Sequence, residues 1–249
     1  MYHNQNIKNI IAGGCSFTAD GIGGHPPTKK NAGNSSFNYY EGFDPAIPNS
    51  WVSHVAKAIQ PISFVNAAAN SHGNILTTQA IISLLQNFEY SPNNTLVILN
   101  VTNFFRYDIP CEFENPDSSY YIPWTNNIIP HSFLNMRSKK HKNILKEIEL
   151  STIENITVNH INLLFNFLTN NQYKFYFLML EDYFQFSSRV NSVLTNFHSN
   201  LIYLDKNINN MQDFCLLNDV TISKKDTHPS KKGHKIISDI VLHYINKRN

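Results

Sequence analysis

Three residues, one near the start of the chain and two near its end, are of the types that nucleophilic catalysis needs. Ser16 follows the first apolar segment, and Asp226 and His228 stand close together near the other end. A serine hydroxyl is a poor nucleophile until a neighbouring base takes its proton, and an imidazole can do so near neutral pH. A carboxylate beside the imidazole fixes its tautomer and stabilises the imidazolium. These residue types predict acyl transfer through an activated serine if the fold brings residues 16 and 228 together.

The hydrophobic pattern predicts that strands and helices alternate along the chain. Short apolar segments predict strands at residues 7–13, 62–67, 95–101, 174–180 and 201–204. Helical spacing of apolar residues predicts helices at residues 51–59, with Ser50 as the N-cap, 74–87, 140–170 and 185–197, and after Pro229. Such alternation is typical of one α/β fold with helices on both faces of a mostly parallel sheet of about five strands.

The residues that could take part in catalysis come directly after predicted strands or directly before a helix. Ser16, Gly73 and Asn103 follow the first three strands, and the segment Asp226–Pro229 precedes the last helix. Because ligands of open parallel sheets bind outside the carboxyl ends of the strands, we expect these residues to converge on one rim.

Four of these segments resemble, in the same order, the sequence blocks of the SGNH (GDSL-like) hydrolase family. Gly14–Phe17 resembles the first block, Gly-Asp-Ser-Leu, and Gly73 matches the glycine of the second. Val101–Phe104 resembles the third block, Gly-x-Asn-Asp, and Asp226–Pro229 resembles the fifth. The resemblance covers nearly the whole chain, and it implies a flavodoxin-like three-layer α/β/α sandwich. We expect no cofactor and no metal.

The resemblance also implies roles for individual residues. Ser16 would be the nucleophile, His228 the base and Asp226 the partner of His228. The oxyanion hole would be formed by the backbone N–H groups of Ser16 and Gly73 and by the side chain of Asn103.

The sequence departs from the family pattern at one position that matters for catalysis. The family has an aspartate three residues before the histidine, but Lys225 stands there and Asp226 is only two residues before His228. We expect Asp226 to be the partner, and a Ser–His dyad held by a backbone carbonyl is the alternative.

Cys15 is expected to be a small buried side chain rather than a second nucleophile. A metal site that combines Asp226 and His228 with His234 matches no strong zinc pattern.

Two residues next to the blocks are weaker candidates for binding substrate. Arg106, just past the third strand, would meet an anionic substrate group, with a structural ion pair as the alternative. Asn74, directly after Gly73, is the second candidate.

Composition limits the class of protein. The 249 residues carry a net charge of +2 with 15% charged residues, which does not predict a nucleic-acid partner. We find no apolar run long enough to span a membrane and no signal peptide, so we expect a cytoplasmic protein. Three cysteines form no disulfide framework. We expect a single domain over residues 1–249, with long loops at about 17–49 and 104–138.

The function predicted from the sequence is a serine-dependent esterase that removes an O-acyl group from a carbohydrate. The substrate would be a small-molecule or glycan ester. One alternative is an O-acetyltransferase that uses the same triad with an acetyl donor, and another is a non-catalytic binding module on the same scaffold. The sequence leaves the substrate and the oligomeric state open.

Overall fold

The computed structural model describes residues 6–18, 38–41, 50–68, 73–106, 108–110, 128–129, 148–182, 187–206, 208 and 210–247. Their centre is a five-stranded sheet of β1 (Asn9–Gly13), β2 (Asn38–Glu41), β3 (Ser63–Asn66), β4 (Thr95–Val101) and β7 (Lys174–Met179). The strand order in this sheet is β2-β3-β1-β4-β7. The pairs β1–β3, β1–β4 and β4–β7 are parallel, and β2 pairs antiparallel with β3. The predicted α/β class with a mostly parallel sheet is therefore confirmed.

Within the described residues, four short strands lie outside this sheet and form two antiparallel pairs. One pair consists of β5 (Ile109–Pro110) and β6 (Ile128–Ile129), and the other is a hairpin of β8 (Thr221–Ser223) and β9 (Asp226–Pro229). This hairpin was not predicted, and it carries two of the candidate catalytic residues.

Helices cover both faces of the sheet. They are α1 (Trp51–Ile59), α2 (Asn74–Asn87), α3 (Leu150–Asn170), α4 (Ser188–Asn196), α5 (Met211–Leu217) and α6 (Lys231–Lys247). One apolar core joins α1, α5 and α6 to the sheet, and a second core on the other face joins α2, α3 and α4 to it. Ile10 faces the first core and Ile11 the second, as expected when successive side chains of a strand point to opposite faces.

Two of the helix predictions match the structure at both ends. Helices α1 and α2 have the predicted bounds, and the Ser50 side chain accepts a hydrogen bond from the Ser53 N–H as an N-cap. Helix α3 begins at Leu150, and residues 140–147 of the predicted helix lie outside the described residues. Helix α5 was missed, because its seven residues follow an Asn-rich segment with no distinct periodicity.

Two strand predictions need correction. The segment 201–204 is not a strand, because after one parallel bridge between Leu201 and Phe177 the backbone of Leu204 bonds to Ile208 in a turn. The fifth strand of the sheet is instead β2, which lies inside the predicted loop at 17–49. The rest of that loop, and most of the predicted loop at 104–138, lies outside the described residues.

The prediction of a single domain stays a prediction. Among the residues described, no helix combines the length and the apolar character needed to cross a membrane.

Candidate active site

The candidate site lies at the carboxyl ends of the parallel strands. Ser16 follows β1, and Asn103 follows β4, the neighbour of β1 in the sheet. His228 lies on β9, which ends at Pro229, and α6 begins at Lys231. The fold thus brings together side chains that are 212 positions apart in the chain.

Three side chains form a continuous chain of hydrogen bonds. The Oγ atom of Ser16 lies 2.7 Å from Nε2 of His228, and Nδ1 of His228 lies 2.6 Å from Oδ1 of Asp226. Because a carboxylate can only accept, Nδ1 carries the proton and Nε2 is free to accept from the Ser16 hydroxyl. Both distances fall in the range expected of a nucleophile, its base and the group that orients the base.

The geometry of β9 explains how Asp226 reaches His228 from only two positions away. Residues two apart in a strand point to the same face, so the carboxylate and the imidazole lie side by side. The His228 N–H also donates to Oδ1 of Asp226 at 3.1 Å, which fixes the carboxylate to the strand. Lys225, at the position of the family aspartate, lies in the exposed turn between β8 and β9. A backbone carbonyl, as in the dyad alternative, is not the partner of Nδ1.

The electrostatics of the pair favour an ionised Asp226. Burial acts to raise the pKa of its carboxyl, but two hydrogen bonds from His228 and the attraction of its ring outweigh this effect, so the pKa is lowered. The side chain of Asp226 is 44% exposed and that of His228 is 26% exposed, which leaves the pair open to solvent from one side. A carboxylate held in this way stabilises positive charge on the imidazole.

Phe17 supports His228 from the protein side, a contact that the sequence interpretation missed. Its buried ring stacks on the imidazole with a centroid distance of 4.4 Å and an interplanar angle of 29°. The position next to the serine, occupied by leucine in the family's first block, was the only signal for this contact.

The turn that presents Ser16 depends on Gly14. Its φ of +146° is a conformation that L side chains rarely adopt, and a Cβ there would lie 2.8 Å from Cβ of Asn100. Cys15 is fully buried, with its Sγ 3.4 Å from Oδ1 of Asn100. The burial of Cys15 agrees with the small buried side chain expected from the sequence, whereas Ser16 is half-buried at the rim.

Gly73 lies at the start of α2, but its N–H is engaged in a way that the sequence did not predict. It donates to Oδ1 of Asp108 at 2.9 Å, and the Leu76 N–H donates to Oδ2 of the same carboxylate at 2.7 Å. Asp108 thus caps the N-terminus of α2, where unpaired N–H groups and the helix dipole favour a negative charge. In this structure the Gly73 N–H is therefore bound to a carboxylate rather than left open for an oxyanion, which corrects the expected role.

Asp108 itself was not among the predicted site residues. The side chain is only 2% exposed, and burial raises the pKa of its carboxyl from 3.8 to about 7. Hydrogen bonds from the N–H groups of Leu76 and Gly73 and the charge of Arg106 act in the opposite direction. Half-buried Arg106 thus acts on Asp108, which favours the ion-pair alternative stated for this arginine.

The Asn103 side chain makes two hydrogen bonds. Its Nδ2 donates to Oε2 of Glu181 at 2.5 Å, and its Oδ1 accepts from the Phe105 N–H at 2.7 Å. Neither the second hydrogen of Nδ2 nor the Ser16 N–H has a partner in the described parts of the chain. These two N–H groups are therefore the candidates that remain for an oxyanion.

Asn74 has a structural role in place of the predicted contact with substrate. Its side chain is fully buried, where Nδ2 donates to the Thr102 carbonyl at 2.9 Å and Oδ1 accepts from the Thr102 N–H at 2.8 Å. The amide therefore ties the start of α2 to the end of β4, and it is not accessible to a ligand.

The candidate metal ligands do not come together. His234 is buried, and its Nδ1 accepts a hydrogen bond from the Trp51 N–H at 3.2 Å, at the start of α1. Within the described ranges, no three His, Cys, Asp or Glu side chains form a group that could hold a metal ion.

The solved structures to which this chain is similar include esterases and members of the lipolytic G-D-S-L family. The psychrotrophic esterase EstA from Pseudoalteromonas sp. is 12% identical, with 97% of this chain and 98% of that one covered and a TM-score of 0.49. A catalytic mutant of Axe2, an acetylxylan esterase from Geobacillus stearothermophilus, is 12% identical over 98% and 96% of the two chains, with a TM-score of 0.48. A member of the lipolytic G-D-S-L family from Veillonella parvula is 11% identical over 94% and 96%, with a TM-score of 0.45.

The family that the four sequence blocks resemble is thus represented among the similar structures. No family model and no curated protein matches the sequence.

Proposed function

We propose that this chain is a serine-dependent ester hydrolase of the SGNH type. The observation that carries the proposal is the unbroken hydrogen-bonded chain from the Ser16 hydroxyl through the His228 imidazole to the Asp226 carboxylate. Many surface serines bond to a neighbouring group. A serine, a histidine and an aspartate bonded in series at the rim of a parallel sheet are what nucleophilic acyl transfer needs.

The proposed reaction proceeds in two halves. In the first, His228 Nε2 takes the proton of Ser16 as Oγ bonds to the acyl carbon, and the carbonyl oxygen becomes an oxyanion. The tetrahedral intermediate collapses as the bond to the alcohol oxygen breaks, and the imidazolium returns its proton to the leaving alcohol. In the second half, His228 deprotonates a water whose oxygen bonds to the acyl carbon. The bond from that carbon to Oγ of Ser16 then breaks as the imidazolium returns its proton to Oγ, which releases the carboxylic acid and restores Ser16.

The remaining groups of the site fit supporting roles in this reaction. Asp226 holds the proton of Nδ1 in place and stabilises the imidazolium, while the stacked ring of Phe17 limits the tilt of the imidazole. The Ser16 N–H and the second N–H of Asn103 are the donors available to the oxyanion.

We further propose that the ester is an O-acyl group on a carbohydrate, with a short acyl chain such as acetyl. Axe2, one of the similar structures, is described as an acetylxylan esterase. Acetylated oligosaccharides are therefore the first natural substrates to test, after a small chromogenic acetyl ester that needs no recognition of a sugar.

The decisive experiment compares wild type, Ser16→Ala and the control Ser199→Ala, which removes an exposed serine hydroxyl far along the chain. Turnover of p-nitrophenyl acetate is measured, together with labelling by a fluorophosphonate and mapping of the label by mass spectrometry. We expect Ser16→Ala to lose turnover and labelling, and Ser199→Ala to retain both. Undiminished turnover in Ser16→Ala would reject the proposed function.

An O-acetyltransferase would use the same residues, with a sugar hydroxyl in place of water as the second nucleophile. Product analysis with an acetyl donor and candidate glycans distinguishes the two, because only a transferase forms more acetylated glycan than free acetate.

A non-catalytic binding module is the other alternative, and the bond of the Gly73 N–H to Asp108 favours it because that N–H is not open to an oxyanion. Labelling of Ser16 by the fluorophosphonate would reject a non-catalytic module.

A further inference from the structure

The Asn103 amide is held at both of its ends, by groups of opposite character. Oδ1 accepts from the Phe105 N–H at 2.7 Å, and Nδ2 donates to Oε2 of half-buried Glu181 at 2.5 Å. A backbone N–H can only donate, and a carboxylate oxygen accepts. Rotating the amide by half a turn would therefore place two donors together at Phe105 and two acceptors together at Glu181. Only one orientation of the amide satisfies both neighbours.

The order of the strands determines which way the amide faces. Ser16, Asn103 and Glu181 follow β1, β4 and β7, which are consecutive neighbours in the sheet. Asn103 therefore lies between the other two along the rim. Glu181 takes one hydrogen of Nδ2, so one hydrogen of the amide remains, and the strand order places Ser16 on the side of Asn103 away from Glu181.

We propose that Glu181 is a positioning residue of the proposed hydrolase: it fixes the Asn103 amide so that its second N–H is directed at the oxyanion formed on the Ser16 ester. This inference rests on the proposed function. Glu181 touches neither substrate nor nucleophile and acts only through Asn103. No sequence block contains it, because it follows β7 as an ordinary acidic residue at a strand end.

The negative charge of Glu181 is not the useful property of the side chain. A carboxylate one amide away from a developing oxyanion repels it, whereas the hydrogen bond aligns the donor that stabilises it. A neutral side chain with an oxygen acceptor at the same distance should therefore preserve the effect. This separates the positioning role of Glu181 from a general electrostatic role.

The variants follow from this distinction. Glu181→Gln keeps an acceptor oxygen and removes the charge, while Glu181→Ala removes the acceptor. Glu181→Asp keeps the charge but shortens the side chain by one methylene, which moves the acceptor oxygen away from Nδ2 of Asn103. This variant serves as the second test if the alanine variant does not fold. Asp182→Asn removes a charge one residue further along and is the matched control. Turnover of p-nitrophenyl acetate gives kcat and KM, and thermal unfolding checks that each variant is folded.

Removing an oxyanion donor lowers kcat by roughly 100- to 1000-fold, which sets the upper limit expected for Asn103→Ala. We expect Glu181→Ala and Glu181→Asp to lower kcat by about 10-fold or more with little change in KM, because the interaction is made in the transition state. Glu181→Gln should stay within about threefold of wild type or exceed it, and Asp182→Asn should match wild type.

A double-mutant cycle tests whether Glu181 acts through Asn103. If it does, the variant that combines Asn103→Ala with Glu181→Ala is no slower than Asn103→Ala alone, whereas independent effects would multiply. Multiplying effects, a glutamine variant as slow as the alanine variant, or a Glu181→Ala rate equal to wild type would each overturn the inference. These outcomes are distinct from failure of the proposed function, which shows as turnover that does not depend on Ser16.

Discussion

The buried carboxyl of Asp108 predicts a specific dependence of stability on pH. Burial raises its pKa from 3.8 to about 7 in the folded chain, while in the unfolded chain the group returns to the ordinary value. Between these two values the folded state holds a proton that the unfolded state has released. The group therefore contributes stability that is fully present at acidic pH and is lost as the pH rises through about 7.

The size of the effect follows from the width of this window. Each pH unit over which only the folded state is protonated is worth about 1.4 kcal/mol, so a rise from about pH 5 to about pH 8 lowers the free energy of unfolding by about 3 kcal/mol. Asp108→Asn removes the titration. The asparagine oxygen can accept from either Gly73 or Leu76, but its NH2 group then faces the other N–H, and an unsatisfied buried donor costs about 1–3 kcal/mol.

The variant should therefore be about 2 kcal/mol less stable than wild type near pH 5 and at least as stable near pH 8. Denaturant unfolding followed by circular dichroism at several pH values measures both curves. The difference between them removes the contribution of other groups, including Asp226, whose lowered pKa acts in the opposite direction. Two parallel curves would show that Asp108 does not titrate in this window, and the reasoning would be refuted.

Three further predictions test individual contacts of the site. Asp226→Asn should lower kcat on p-nitrophenyl acetate by up to about 10,000-fold because the tautomer of His228 is no longer fixed, while Lys225→Ala should leave it unchanged; equal effects would point to a dyad. Phe17→Ala should lower the free energy of unfolding by about 3–5 kcal/mol in denaturant titration, and Phe17→Leu by less, because the buried ring leaves a cavity beneath His228. Cys15→Ala should retain turnover to within about threefold, since the thiol is buried against Asn100, and loss of activity would implicate the thiol in catalysis.

The parts of the site that could be predicted are those for which residue type alone restricts the role. A serine, a histidine and an aspartate have few alternative uses in combination, as with Ser16, His228 and Asp226. The strand that precedes Ser16 also has a clear apolar pattern. Their side chains are indeed bonded to each other. The two-residue spacing of Asp226 and His228, unusual for the family blocks, became interpretable only with the knowledge that β9 is extended, so that both side chains share a face.

The roles of backbone groups were harder to predict, because they depend on what the neighbouring loop brings to them. The Gly73 N–H has the same chemistry in any sequence, and only the position of Asp108 decides where it donates. Similarly, the sequence shows that Asn74 is an amide but not that Thr102 occupies both of its ends. Strand β2 was missed for a related reason: four residues within a Gly-, Pro- and Asn-rich segment carry too little periodicity to predict a strand.

Three acidic side chains hold three different groups of the candidate site in place. Asp226 binds the His228 ring, Asp108 binds the N–H of Gly73, and Glu181 binds the amide of Asn103. In a chain with only 15% charged residues, such a concentration of acidic side chains gives the site well-defined geometry. In the proposed hydrolase, those that are ionised would oppose an oxyanion, and the donors directed at the oxyanion would have to overcome this potential. We therefore expect the rate of the proposed reaction to depend on the alignment of the Asn103 amide more strongly than on any other feature outside the proposed triad.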